Sequence, residues 1–495
     1  MNGLWGPWIL CPTLMAAALS GCALDPIRSQ PPWNPEAVYQ QRWAMGPVCI
    51  AFSGGGIRSS AFSIGGMQGL QDAGLLQKAD LLTATSGGAY AASWLYTATR
   101  SRGLSLEDAL ESDSKEQARL ARRAEYFVDR AGSGTIGVLG AATAFIENSY
   151  NPMQCEKNSP SLLTLGSSYG YQLDIAGMFH DSKQPNFVDI TQPLREPKLP
   201  MLVIGVTTTP GHQPTCDGNI DEQLFPGEIS HEGLRSGSTV IRADISTWKV
   251  MEVVASAGSA LDVTPAQSDG FSLCRLGKNF RPLTGSATCT PDHEKSPVTY
   301  ITDGGFTDNL ALLPAIQRQC KVIVSFDATH DPTFTFEDLK QREKELSVLG
   351  VNLGEIRESI AGEGAGEVFV ADKAKSAVSI QTTSAGLTFA YVKLSIPSSR
   401  AEAVPAIVAR THDYSSVRFS SEAGCRYAGL KKRCRFPMEA TVRQTMYASE
   451  FMAYRDLGRW IVRSELLPGL LRAGATTSGV EATELSSAAS DDVKR

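Results

Sequence analysis

The sequence predicts an α/β fold, in which a parallel sheet is connected by crossover helices. Two strand-to-helix units carry this prediction. Residues 48–52 form a short apolar strand followed by a helix from Arg58 to Ala73, and Leu81 to Thr85 form a second strand followed by a helix to about Thr99. Strands that alternate with helices pack in parallel, because each helix returns the chain across one face of the sheet. Further strands are predicted at 201–207, 299–302 and 322–326.

Length and composition are those of a globular protein with a large core. The chain has 495 residues, of which 42% are hydrophobic and 20% are charged. The formal net charge is −6, so the protein has no basic surplus with which to neutralise phosphates. Composition therefore argues against nucleic acid as a partner.

The order of elements predicts four segments. Residues 1–21 are interpreted as a signal peptide, 22–42 as a Pro-rich tether and 43–472 as one α/β domain, and the tail at 473–495 is expected to be disordered. Strand signals vanish between about 103 and 200, which predicts a helical insertion. Towards the end of the chain we expect a charged helix at 336–346, a strand at 387–396, and a long amphipathic helix that begins at Pro437 and is stopped by Pro468.

The amino terminus resembles a bacterial lipoprotein signal. The first 24 residues have no charged side chain, and the short apolar stretch ends in Leu19-Ser20-Gly21-Cys22. This resemblance implies that Cys22 is lipidated and anchors the protein in the bacterial cell envelope. Ala23 follows, which by the same resemblance favours the outer membrane. An ordinary cleaved secretory signal and an uncleaved anchor remain alternatives.

The ten cysteines suit an oxidising compartment. Two pairs flank short loops and are plausible disulfides: Cys274 with Cys289, and Cys425 with Cys434. Cys49 and Cys320 lie in apolar runs and are interpreted as buried thiols of core strands. No Cys or His spacing is typical of a zinc site, so neither a metal nor a cofactor is expected.

A glycine-rich turn follows the first strand. In Ser53-Gly54-Gly55-Gly56-Ile57-Arg58, the glycines allow successive backbone N–H groups to face one side, and the helix that follows adds its positive N-terminal end. Such a loop suits a phosphate or the oxyanion of a tetrahedral intermediate. A Walker-type loop is excluded because no Gly-Lys-Ser/Thr follows.

The second strand ends in a pattern typical of a nucleophile elbow. In Ala84-Thr85-Ser86-Gly87-Gly88 a serine stands between a strand and a helix with small neighbours, although Ala84 replaces the first glycine of G-x-S-x-G. Further along, Asp303 ends a predicted strand and is followed by Gly304 and Gly305. A carboxylate there can accept the proton of a serine hydroxyl.

Together the three segments resemble the patatin-like and cytosolic-phospholipase family of lipid acyl hydrolases. Residues 86–94, 250–265 and 303–327 resemble that family's elbow helix, its Ala/Ser-rich helix and its aspartate strand with the strand that follows. The resemblance implies a three-layer α/β/α sheet and a Ser86/Asp303 dyad that cleaves an ester of a phospholipid or other acyl lipid through an acyl-enzyme. It assigns oxyanion binding to the loop glycines (Gly54, Gly55 and Gly56), and it leaves Arg58 either bracing this loop or meeting a substrate phosphate.

Two alternatives remain. Ser86, Asp303 and His330 occur in the chain order of an α/β-hydrolase triad. A non-catalytic lipoprotein that binds envelope lipid is the alternative outside the enzymes. Reactivity of Ser86 with a fluorophosphonate distinguishes the binding protein from either enzyme.

Overall fold

The computed structural model describes most of the α/β domain. The described residues are 46–111, 114–121, 185–192, 198–210, 224–236, 245–246, 248–258, 298–362, 374–397, 436–438 and 448–474, with strand positions at 29–30, 239–241 and 280–282. The expected signal, lipidated Cys22, the tether apart from Ser29–Gln30, the tail from 475, the two loop cysteine pairs and most of the insertion lie outside these residues.

A run of parallel strands forms the centre of the sheet. Its order is β4 (Met201–Pro210), β3 (Leu81–Thr85), β2 (Val48–Phe52), β10 (Val322–Asp327) and β12 (Thr388–Lys393). Neighbours in this run pair in parallel. The strands predicted at 48–52, 81–85, 201–207 and 322–326 are confirmed and pair in parallel, whereas the strand predicted at 299–302 lies in β9, which pairs antiparallel. All carboxyl ends of the parallel run meet at one edge of the sheet.

Antiparallel strands extend the sheet on both sides. They are β1 (Ser29–Gln30), β5 (Phe225–Ser230), β6 (Gly233–Ser236), β7 (Thr239–Ile241), β8 (Phe280–Pro282), β9 (Val298–Asp303) and β11 (Val378–Thr382). β11 pairs with β12, and β5 lies on the free edge of β4. The observed sheet is therefore mixed, and antiparallel strands flank its parallel centre.

Two strands, β3 and β9, pair with the same edge of β4, one after the other along its length. β3 pairs with residues 201–205 of β4, and β9 pairs antiparallel with residues 206–210. β5 pairs with 204–208, so it must occupy the opposite edge. β3 and β9 therefore approach each other from opposite directions, and their carboxyl ends, Thr85 and Asp303, face each other across a short gap.

Helices cover both sides of the sheet. They are α1 (Gly56–Asp72), α2 (Ser86–Tyr96), α3 (Leu106–Leu110), α4 (Phe187–Thr191), α5 (Val250–Ala257), α6 (Gly305–Asp308), α7 (Leu313–Gln317), α8 (Glu337–Lys340), α9 (Glu343–Val348), α10 (Leu353–Ala361), α11 (Ala448–Ile461) and α12 (Leu467–Arg472). The architecture is the expected three-layer α/β/α fold. Among the described residues, no helix is long and apolar enough to cross a membrane.

Glycines let α1 and α11 pack with their backbones in close contact. A Cβ added to Gly65 would lie 1.8 Å from the Arg455 carbonyl oxygen, and one added to Gly458 would lie 2.4 Å from that of Phe62. This approach fixes α1, and with it the glycine turn at its amino terminus, against the rest of the domain.

The last helix does not stop at Pro468, and that prediction was wrong. A π-helical turn at Val462–Leu466 follows α11 and leads directly into α12. Pro468 is the second residue of α12 and stands directly after the π-helical turn, where the hydrogen-bond register of the helix changes. The proline is therefore tolerated inside a continuous helical run.

Cys49 and Cys320 form a disulfide, which corrects their interpretation as buried thiols. Cys49 lies in β2 and Cys320 lies just before β10. Because β2 and β10 are parallel neighbours and pair Val322 with Val48, their starting ends are adjacent. The bridge joins residues separated by 271 positions, a proximity that sequence periodicity could not reveal.

Removing this disulfide is expected to lower the free energy of unfolding by about 2 to 5 kcal/mol, because a very long loop would be released in the unfolded chain. Chemical denaturation of wild type and a Cys49→Ser, Cys320→Ser variant measures the difference. Wild type under reducing conditions should approach the variant, and the variant itself should not respond to reductant. Equal midpoints for both proteins without reductant would contradict the prediction.

Candidate active site

Ser86 occupies the sharp turn between β3 and α2. Its φ of 47° lies in the left-handed region, which residues other than glycine rarely adopt. Thr85 before it is extended, with φ −134° and ψ 154°. Ser86 is partly exposed, whereas every other residue from 79 to 100 is buried. The chain therefore bends sharply to present this one hydroxyl at the carboxyl edge of the sheet, as in a nucleophile elbow.

The residues after Ser86 must be small because the glycine turn lies against them. A Cβ on Gly87 would lie 2.0 Å from the Gly56 carbonyl oxygen. A Cβ on Gly88 would lie 2.6 Å from the Phe52 carbonyl oxygen, and the Gly88 N–H donates to the Ser53 carbonyl at 3.1 Å. The elbow and the glycine turn thus form one unit with backbone packed on backbone.

Asp303 meets Ser86 directly. The Ser86 hydroxyl donates to Asp303 Oδ2 at 3.0 Å, and the Gly305 N–H donates to Oδ1 at 2.7 Å. Asp303 is only 5% exposed, and burial raises the pKa of its carboxyl to about 6, although both hydrogen bonds act in the opposite direction. A carboxylate with a raised pKa is a stronger base than an ordinary aspartate, and it is still ionised at neutral pH.

The glycine turn supplies two free N–H groups rather than three. Gly55 and Gly56 have φ values of 132° and 63°, and within the described part of the chain nothing accepts a hydrogen bond from either N–H. The Gly54 N–H donates to the Asn309 carbonyl at 2.8 Å. The expectation that Gly54 donates to an oxyanion is therefore corrected, because its N–H is already used. Gly55 and Gly56 are also partly exposed, whereas Gly54 is buried.

Arg58 lies inside the protein beneath this turn. It is 2% exposed, and its Nη2 donates to the Ala328 carbonyl at 2.7 Å, just beyond β10. A Cβ on Gly55 would lie 2.5 Å from the same carbonyl oxygen. This geometry favours the bracing role predicted for Arg58 over contact with a substrate phosphate.

Two serines of α1 secure the site, and sequence reasoning missed them. The Ser59 hydroxyl donates to the Ser53 carbonyl and the Ser60 hydroxyl donates to the Gly87 carbonyl, both at 2.6 Å. They tie the glycine turn and the elbow to the same helix. In the sequence, the only sign of this role was that two adjacent small polar residues fall in a predicted helix. The structure shows that both are buried.

Asp308, five residues after Asp303 and at the end of α6, is a second buried carboxylate in this region. Its Oδ2 accepts the Leu313 N–H at 2.7 Å and so caps α7, and burial raises its pKa to about 6. It lines a cavity of about 20 Å³ behind Gly304, beside Glu228 and Arg235. That volume suits a single water molecule and excludes an acyl chain. Asp303, not Asp308, is the carboxylate that the Ser86 hydroxyl contacts.

His330, the third member of the rival triad, follows β10 in the loop at 328–331. In a triad, an imidazole stands between the serine and the carboxylate. Here the Ser86 hydroxyl contacts the Asp303 carboxylate at 3.0 Å, so no ring fits between them. Among the described residues, no cluster of three His, Cys, Asp or Glu side chains could hold a metal ion.

Comparison with solved structures identifies the fold. Human GIVD cytosolic phospholipase A2 superposes with a TM-score of 0.56 at 13% sequence identity, and the match covers 89% of this chain and 60% of that one. The same human enzyme in complex with methyl gamma-linolenyl fluorophosphonate matches with a TM-score of 0.50 at 15% identity, over 90% of this chain and 59% of that one. The chain thus has the α/β fold of the cytosolic phospholipase A2 structures, which is a patatin-like lipase fold. It spans about three fifths of their length.

Sequence comparisons add nothing to this result. No family model matches the chain, and no curated protein matches it. The fold assignment therefore depends on structural similarity and the local geometry described above.

The raised pKa of Asp303 gives two linked predictions. Activity that needs the ionised carboxylate should rise with pH through about 6 and then level off. In the folded state the pKa lies above its usual 3.8, so stability should fall as pH rises from about 4 to about 6 and stay lower above that range. Asp303→Asn should therefore be inactive yet more stable than wild type at pH 8, by up to about 3 kcal/mol.

Thermal unfolding of wild type and Asp303→Asn at pH 4 and pH 8, together with a pH–rate profile, measures both effects. The stability difference should be large at pH 8 and small at pH 4. A variant less stable than wild type at pH 8 would show that the ionised carboxylate stabilises the fold, contrary to this account.

Proposed function

We propose that the protein is a serine lipid acyl hydrolase of the phospholipase or lysophospholipase type. One observation carries the proposal. Ser86 is strained and partly exposed at a strand-to-helix elbow, and its hydroxyl donates a hydrogen bond directly to the buried Asp303 carboxylate at 3.0 Å. Strain at a polar residue in the left-handed region persists where the surrounding structure enforces it, as nucleophiles often require.

The mechanism uses this dyad twice. Ser86 Oγ attacks the ester carbonyl carbon while its proton passes to Asp303 Oδ2. The N–H groups of Gly55 and Gly56 are undonated among the described residues and belong to the turn packed against the elbow, and in this mechanism they bind the oxyanion of the tetrahedral intermediate. The intermediate collapses to an acyl-enzyme, and Asp303 returns the proton to the departing alkoxide. Water then loses a proton to Asp303 and attacks the acyl carbonyl, and the fatty acid leaves as Ser86 regains its hydrogen.

A lipid substrate is supported by the fold and by one ligand. The human enzyme with the same fold binds methyl gamma-linolenyl fluorophosphonate, which joins a fatty chain to a serine-reactive group. Such a compound combines the two properties that we propose for the substrate here, an acyl chain and an electrophilic centre at the serine.

Hydrolysis of a panel of phospholipids, lysophospholipids and short acyl esters tests the proposal. The protein used is purified chain lacking residues 1–22, compared with Asp303→Asn and His330→Ala. We expect fatty acid release by wild type and His330→Ala, and loss by orders of magnitude in Asp303→Asn. Absence of hydrolysis and of fluorophosphonate labelling by wild type would favour the lipid-binding alternative. Equal loss on removal of His330 would favour a triad.

We also propose that the protein is anchored in the bacterial cell envelope through lipidated Cys22, in the outer membrane. The support is the sequence Leu19-Ser20-Gly21-Cys22 after an uncharged apolar stretch. Stable anchoring needs more than one lipid chain, which multiple acylation of this cysteine would provide. Metabolic labelling with a radioactive fatty acid should mark wild type, and Cys22→Ala should be unlabelled and absent from the membrane fraction.

A further inference from the structure

Asn309 touches both halves of the proposed catalytic centre. It follows α6, just beyond Asp303, and its backbone carbonyl accepts the Gly54 N–H at 2.8 Å. Its side-chain Oδ1 lies against two glycines: a Cβ on Gly54 would be 2.1 Å from that oxygen, and a Cβ on Gly305 would be 2.7 Å from it. Gly54 leads into the free N–H groups of the glycine turn, and Gly305 donates the N–H that holds Asp303. One side chain therefore fills the space between the oxyanion turn and the base.

The amide of Asn309 is fixed from the other side. Its Nδ2 donates to Asp338 Oδ1 at 3.0 Å, in the short helix α8. Without this bond the amide could rotate about its terminal torsion, which has a broad energy profile. With the bond, Nδ2 points to Asp338 and Oδ1 must point to Gly54 and Gly305.

Asp338 is itself held near a buried charge network at the ends of β10 and β12. Burial and the nearby Asp327 carboxylate raise the pKa of Asp338, while the hydrogen bond from Asn309, the Lys393 ammonium and the hydrogen bond with Thr329 lower it. The fully buried Lys393 ammonium lies 2.8 Å from Asp327, which the Tyr391 hydroxyl also contacts. Networks with satisfied partners in a low-dielectric interior are rigid, so Asp338 offers Asn309 a fixed acceptor.

We propose that Asn309 is a positioning residue, oriented by Asp338, which sets the distance between the oxyanion-binding turn and the Asp303 base. This inference rests on the proposed hydrolase function. Neither side chain has a part in the bond-making steps of the mechanism above. Both act through Gly54 and Gly305, so their loss should lower kcat and leave KM nearly unchanged. A displacement of the reacting groups by about 1 Å can cost roughly a hundredfold in rate.

The test compares kcat and KM for wild type, Asp338→Ala, Asp338→Asn, Asn309→Ala and the double alanine variant on one ester. Asp338→Asn keeps an oxygen that can accept from Asn309, so it should stay within about threefold of wild type. Asp338→Ala removes the acceptor and should lose kcat by about tenfold or more. If the two residues act as a unit, the double variant should lose little more than Asn309→Ala alone. Removing Asp338 relieves its repulsion with Asp327 but also removes its attraction to Lys393, so thermal unfolding checks that Asp338→Ala is folded.

Each outcome decides the matter. A kcat loss in both alanine variants, with rescue by Asp338→Asn and a non-additive double variant, supports the inference. Wild-type kcat in Asn309→Ala, additive losses, or equal losses in Asp338→Asn and Asp338→Ala would overturn it while wild type remains active. If Asp338→Ala does not fold, Asn309→Ala and Asp338→Asn carry the test on the same criteria. Failure of wild type to hydrolyse any ester would instead refute the proposed function, and with it this inference.

Discussion

Ser86→Ala is expected to lower kcat for ester hydrolysis by roughly 10⁴-fold or more, since the nucleophile is lost and only binding and oxyanion stabilisation remain. The fold should survive, because among the described residues the Ser86 hydroxyl makes its hydrogen bond to Asp303 alone. Initial rates of fatty acid release measure the effect, and intact-protein mass shows whether an acyl or phosphonyl adduct forms.

Ser93→Ala is the matched control. Ser93 lies on the same helix and is buried, and its hydroxyl has no hydrogen-bond partner among the described residues. Its replacement should leave the rate within about twofold of wild type. If Ser86→Ala kept more than a tenth of wild-type activity, Ser86 could not be the nucleophile.

Gly87→Ala is also expected to lower kcat strongly, because the added methyl group clashes with the glycine turn. The new Cβ would lie 2.0 Å from the Gly56 carbonyl oxygen, a distance that real Cβ atoms do not show, and the obstacle is backbone. The glycine turn must therefore move away from Ser86, and the oxyanion donors move with it. We expect a loss in kcat of about 10² to 10³-fold and a stability loss of about 1 to 3 kcal/mol.

Gly205→Ala serves as the control for this substitution. Gly205 lies in β4 close to the same elbow, but its Cβ would meet the Thr85 Cβ at 3.4 Å, an ordinary contact. Both variants add one methyl group near the site, and only the first should displace the oxyanion turn. Similar rates and melting temperatures for the two alanine variants would contradict the argument from close packing.

Much of the fold could be predicted because its central elements are local. The apolar runs at Val48–Phe52 and Leu81–Thr85 and the turns behind them define strand-to-helix units by composition alone. The mixed edges of the sheet could not be predicted in this way. The pairing of β9 with the far half of β4 joins segments distant in sequence, and no periodicity encodes such a register.

The site shows the same division. Ser86 and Asp303 could be found because strand ends followed by glycines are visible in the sequence, and the end-to-end arrangement of β3 and β9 brings them together. The hydrogen bond from the Gly54 N–H to the Asn309 carbonyl could not be predicted, because it joins segments that are distant in sequence. The same is true of the disulfide between Cys49 and Cys320. The continuation of the last helix through Pro468 depends on a local change of hydrogen-bond register, which residue type alone does not reveal.

The central claim is that Ser86 is activated by Asp303 without a histidine, and the rate of phosphonylation tests it most directly. Wild type, Asp303→Asn and His330→Ala are incubated with a long-chain alkyl fluorophosphonate, and adduct formation is followed by intact-protein mass spectrometry, with the adduct mapped to its peptide. We expect a single adduct on Ser86 that forms at nearly the same rate in wild type and His330→Ala, and at least 10²-fold more slowly in Asp303→Asn. Equal slowing by His330→Ala and Asp303→Asn, or an adduct elsewhere than Ser86, would contradict the dyad.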